Sequence, residues 1–94
     1  MRVKWLRAGL RDLDAEMTRL AQEDPEQAMR IYDRARSRVE ELAQFPESGR
    51  PGRVPGTREL VFAGLPYIVP YRVREQEVQV LRFFHTSRKP PAAW

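Results

Sequence analysis

A chain of 94 residues with 41% apolar and 32% charged positions fits one domain around one small core, because a chain this short buries only about 60–65% of its unfolded surface. The absence of Cys and the single His exclude a disulfide scaffold, thiolate chemistry and a Cys/His zinc site. No apolar run approaches the roughly 20 residues that cross a bilayer, and charges sit where a signal peptide needs its apolar stretch, so a cytoplasmic protein without membrane association is expected.

The opening Met1 to Trp5 alternates apolar Met1, Val3 and Trp5 with Arg2 and Lys4, which predicts a short half-buried strand. From Ala8 to Glu23 the period lengthens, with Leu10, Leu13, Met17, Leu20 and Ala21 on one stripe of a predicted helix and Arg11, Asp12, Asp14, Glu16 and Arg19 on its other faces. Asp24-Pro25-Glu26-Gln27 starts a second helix: Asp24 caps, Pro25 suits the first helical position, and Gln27 completes a capping box. Its stripe runs through Ala28, Ile31, Tyr32, Ala35, Val39, Leu42 and Ala43 and stops before Pro46, so the two helices form an antiparallel hairpin. Trp5, Leu10, Leu13, Ile31, Tyr32, Leu42 and Phe45 are the expected core.

Glu47 to Gly56 is a Gly/Pro loop carrying Arg50 and Arg53. Three strands follow: Leu60 to Phe62; Tyr67 to Val73, after a turn at 63–66; and Val78 to Phe84, after a polar turn at Arg74 to Glu77. Pro70 lacks a ladder donor and belongs at an edge or a bulge. The tail from residue 87 to Trp94 is expected to be mobile unless Trp94 docks. The fold class is α+β, in the order strand, helix, helix, three strands: an antiparallel meander sheet joined by the first strand, with the helical hairpin on one face and the other left partly open. The net charge of +4 is uneven, −1 over residues 1–49 and +5 over residues 50–94. An open sheet face lined by the basic residues of the last three strands and of the 50–58 loop suits an anionic partner.

The element order, with Leu42-x-x-Phe45-Pro46-x-x-Gly49-Arg50, Gly56-Thr57-Arg58-Glu59-Leu60, Pro66-Tyr67-Ile68-Val69-x-Tyr71-Arg72-Val73 and His85-Thr86-Ser87-Arg88, resembles the RelE/ParE superfamily of bacterial type II toxin–antitoxin toxins over nearly the whole chain, 1–94. The resemblance implies a growth-arresting, plasmid-stabilising toxin that needs no cofactor or metal. Its partner would be an acidic antitoxin whose C-terminal segment wraps the toxin into a hetero-oligomer. Two activities occur in the superfamily. RelE-like members are endoribonucleases that cut mRNA on the ribosome, whereas ParE-like members inhibit DNA gyrase by protein–protein binding.

RNA cleavage is the first reading. It needs a proton-transfer group and cations for the developing phosphate charge. By resemblance His85 takes the first role, while Arg58 and Arg88 clamp phosphate. Arg50, Arg53 and Arg82 extend a basic track, Tyr67 or Tyr71 stacks on a base, and Arg72 joins if a bulge at Pro70 turns it inward. Against this stands Tyr67 itself, where RelE-like nucleases usually carry Arg or His. Gyrase binding, and an inactive member that still binds antitoxin, are the alternatives. In the plainer reading of each residue His85 is structural, Arg58 pairs with Glu59 across the sheet, and both tyrosines are core.

Overall fold

The computed structural model describes residues 1–94. Strand β1 (Arg2–Trp5) leads into helix α1 (Arg7–Glu23) and helix α2 (Pro25–Glu40), which tightens into a 3-10 turn at Glu41–Ala43. Strands β2 (Arg50–Pro51), β3 (Arg58–Val61), β4 (Tyr67–Arg74), β5 (Glu77–Val80) and β6 (Phe84–His85) complete the chain. The α+β class and the helical hairpin are as expected. The Asp24 carboxylate accepts from the Gln27 N–H at 3.1 Å, and the Asp24 N–H donates to the Leu20 carbonyl at 2.8 Å. One residue therefore closes α1 and caps α2. No helix is long and apolar enough to cross a membrane.

The sheet runs β1-β5-β4-β3-β2, with β6 also on β4, and it is not wholly antiparallel. β1 lies parallel to β5, with Val3 opposite Val78 and Trp5 opposite Val80. The sheet is mixed because β2, the first strand after the helical hairpin, runs opposite to β1, and each of β3, β4 and β5 reverses the strand before it, which leaves β5 running the same way as β1 where the two pair. β2 is a two-residue strand inside the expected loop, pairing Arg50 with Glu59.

The expected last strand is two pieces. The pairs Tyr71–Val80 and Ile68–Phe84 leave Val69 and Pro70 facing three residues, Leu81, Arg82 and Phe83. That one-residue excess is a bulge. The Pro70 carbonyl accepts from the Leu81 N–H at 2.9 Å, so the Pro70 nitrogen points the same way, into the gap where no donor is required. β4 thus keeps its alternation through Pro70. Tyr67, Val69 and Tyr71 face the helices, and Ile68, Pro70 and Arg72 face away.

The core packs Leu13, Leu20, Ala28, Ile31, Ala35, Val39 and Leu42 against Leu60, Tyr67, Val69, Tyr71, Val78 and Val80. Two residues of the expected core lie outside it: Leu10 is 48% exposed and Phe45 61%. On α1 the buried positions are Gly9, Leu13, Glu16 and Leu20, so the stripe is rotated by one residue and Leu10, Met17 and Ala21 fall on its outer border. Tyr71, fully buried, donates its hydroxyl to the Pro46 carbonyl at 2.7 Å and accepts from the Gly49 N–H at 2.9 Å. The Pro46-x-x-Gly49 signature is therefore a seat for the Tyr71 ring. A Cβ at Gly49 would lie 2.6 Å from Tyr71 Cε1.

The helix-free face is less open than expected, because the tail lies on it. Trp94 meets Phe84 edge-on at 5.4 Å between centroids, the Arg53 guanidinium sits 4.8 Å over the Trp94 ring, and Arg53 also donates to the Pro91 carbonyl. The docking of Trp94 that an ordered tail requires is present.

Candidate functional site

His85 is brought to the helix-facing side by its pairing with Tyr67, where it lines a cleft of about 270 Å³ between α1 and the β4–β6 end of the sheet. Asp12, Ala15, Glu16 and Arg19 form the α1 wall, Tyr67, Phe83 and Phe84 contribute from the sheet, and Arg82 and Arg88 complete the lining. The His85 ring stands edge-on to Tyr67 with centroids 5.3 Å apart. Its Nδ1 accepts from the Ser87 backbone N–H at 3.1 Å, with the Ser87 hydroxyl 2.7 Å away. By this hydrogen-bond pattern the neutral ring carries its hydrogen on Nε2.

The cleft is built on two carboxylates that face inward from α1. Glu16, 7% exposed, accepts from Arg19 Nε at 3.0 Å and from a second Arg19 nitrogen at 2.8 Å, and it receives the Tyr67 hydroxyl at 2.5 Å. The Arg19 hydrogen bond, joined by that of Tyr67 and opposed by burial, pulls the Glu16 carboxyl from 4.5 down to about 2. Burial, then the bond to Glu16, pushes the Tyr67 phenol up to about 12. Asp12 accepts from Arg82 at 2.6 and 3.1 Å and from the Phe83 N–H at 3.1 Å, which fixes the bulge to α1. The bond to Asp12 raises the Arg82 guanidinium still further above its ordinary value.

Of the residues singled out in the sequence, the cleft gathers His85, Arg88, Arg82 and Tyr67. Arg58 is not among them. It lies opposite Tyr71 on β3 and donates to the Gly49 and Glu47 carbonyls at 2.9 and 3.3 Å. Four residues along β4 and two strand spacings separate its register position from that of His85, about 16 Å on a regular sheet. Its place on the helix-facing side also removes it from the expected basic face. Glu59, expected as its cross-strand partner, instead takes Arg50 at 3.0 Å and the Arg53 N–H at 2.9 Å. Arg72 lies on the helix-free face and donates to Gln79 at 2.7 Å. The Tyr67 and Tyr71 rings, 3% and 0% exposed, belong to the core and offer no surface to a base.

Asp12, Glu16 and Arg19 escaped the sequence reading. Glu16 had a legible signal, a carboxylate in helical phase with Leu13 and Leu20, whereas Asp12 and Arg19 had none. A second feature also went unseen. Leu10, Met17 and Ala21 on α1 face Pro25, Met29 and Tyr32 on α2 across a groove on the outer side of the hairpin, rimmed by Arg7, Arg11 and Arg36. Both helices thus carry a second apolar stripe that the sheet does not cover.

The family described as "ParE toxin of type II toxin-antitoxin system, parDE" matches residues 3–90. The Sinorhizobium fredii protein named as toxin Y4kP is 41% identical over 90 residues, 96% of this chain and 93% of that protein. Toxin RelE2 of Caulobacter vibrioides is 34% identical over 86 residues, 92% and 96% of the two chains. Among solved structures, the chromosomal ParDE toxin–antitoxin system from P. aeruginosa superposes with a TM-score of 0.81 at 33% identity, covering 90% of this chain and 95% of that one.

Proposed function

The chain belongs to the ParE family of type II toxin–antitoxin toxins, and from that premise we propose that it arrests growth by binding a protein target, DNA gyrase, and not by cutting RNA. One observation carries the choice of mechanism: Arg58 is spent on the Gly49 and Glu47 carbonyls, at the other end of the sheet from His85. Phosphoryl chemistry needs its cations and its proton-transfer group around one reacting atom. Two of the guanidiniums that do reach the His85 cleft, Arg19 and Arg82, are each matched by a carboxylate, which supports the same reading.

Membership of the module brings an antitoxin. We place its acidic, amphipathic segment in the hairpin groove, where apolar residues meet the Leu10–Met17–Tyr32 floor and carboxylates meet Arg7, Arg11 and Arg36. The RelE2 relative and the cations around His85 favour the endoribonuclease as second reading. Purified toxin added to gyrase in a supercoiling assay, and to translating ribosomes in an mRNA-cleavage assay, separates the two. Inhibited supercoiling that survives His85→Ala, with mRNA intact, is the expected result. Cleaved mRNA, lost with His85→Ala, overturns the proposal.

A further inference from the structure

The cleft around His85 holds a set of donors with no acceptor to meet. Three guanidiniums, Arg19, Arg82 and Arg88, face two carboxylates, Asp12 and Glu16. Arg19 and Arg82 each commit only part of their N–H fork to those carboxylates. Arg88 is exposed at the rim and its guanidinium has no partner in the chain. His85, with Nδ1 taken by Ser87, has only its Nε2 hydrogen to offer. The free hydrogen-bonding capacity here is mostly donor, and the surplus is a single positive charge. That balance suits one carboxylate better than a run of phosphates, which would be repelled by Asp12 and Glu16.

The cleft is also continuous with the antitoxin groove. A shallow shelf on α1, formed by Arg11, Asp14, Ala15, Thr18, Arg19 and Gln22, shares Arg11 and Asp14 with the groove and Ala15 and Arg19 with the cleft. A segment seated in the groove can thus continue over α1 and end above His85. We propose that the His85–Arg88 cleft is a second antitoxin site, a receptor for one Asp or Glu side chain of the segment that wraps α1. It rests on the antitoxin placement proposed above. In this role His85 is a hydrogen-bond donor and not a proton acceptor, and Arg88 is the fork that closes on the carboxylate.

Two measurements test it. In the first, isotope-labelled toxin is titrated with acetate, with inorganic phosphate and with a short single-stranded RNA at constant ionic strength. The arginine and imidazole side-chain resonances are followed by NMR. Acetate should move Arg82, Arg88 and His85, and Arg88→Ala should abolish the response. A response to phosphate or RNA with acetate silent, or no response at all, overturns the proposal.

In the second, affinity for the cognate antitoxin is measured for Arg88→Glu, Arg88→Lys and the groove variant Met17→Arg. Arg88→Glu should weaken binding on the order of tenfold, with Arg88→Lys intermediate. Weakening by Met17→Arg alone overturns the cleft site and leaves the groove standing. No weakening by any of the three overturns both.

Discussion

Replacing Glu16 by Gln removes one negative charge from the wall of the cleft while keeping an oxygen for Tyr67 and Arg19. In the folded chain the carboxyl titrates at about 2 against the ordinary 4.5, and each pH unit between those values corresponds to about 1.4 kcal/mol, for a total of about 3 kcal/mol. The Arg19 side chain is 48% exposed, so solvent screening brings the expected contribution to about 1–2 kcal/mol. The sign follows from the depressed value: the stabilisation is complete above the unfolded pKa near 4.5 and is lost as pH falls towards 2. Urea unfolding of both proteins at intervals from pH 7 to pH 2.5 measures the difference directly, since the other carboxylates titrate alike in the two. The gap should be about 1–2 kcal/mol at pH 7, begin to close below about pH 4.5, and shrink to about a quarter of its full size at pH 2.5, the remainder going only as pH passes below 2. A gap independent of pH, or none at pH 7, would refute the assignment of Glu16 as a charged anchor between α1 and the sheet.

Gly49→Ala should cost about 1–3 kcal/mol, because its Cβ would meet the Tyr71 ring at 2.6 Å with that ring fully buried; a thermal midpoint equal to the parent's would show that the seat can yield. The β4–β5 turn holds Glu75 and Gln76 at φ of 55° and 59°, the two-residue hairpin geometry that favours glycine, so Gln76→Gly should raise stability by about 0.5–1 kcal/mol in denaturant unfolding. Arg53→Ala removes both the cation over Trp94 and the donor to Pro91; in a Trp5→Phe background acrylamide should then quench Trp94 more strongly, and unchanged quenching would show that Phe84 alone holds the tail.

Local chemistry determined the elements and the family. The Asp24-Pro25 start, the period change after Trp5, and the Gly/Pro loop are each decided within a few residues by capping, side-chain spacing and turn geometry, and the structure has the first two where the sequence puts them and adds the short strand β2 inside the third. The Pro46-x-x-Gly49 and Tyr71 signatures were legible as motifs, but only the fold shows that they are one packing unit. Tertiary structure decided how β1 joins the sheet, since parallel pairing depends on where the helical hairpin returns the chain. It also decided which stripe of α1 is buried: the apolar line through Leu10, Met17 and Ala21 runs beside Gly9, Leu13, Glu16 and Leu20, and only the presence of the sheet selects between them. The arginines were the least legible residues of all. Their long side chains find partners far away in sequence, Arg82 on Asp12 and Arg58 on the Gly49 carbonyl, and a guanidinium's role depends on which acceptor the fold brings within reach.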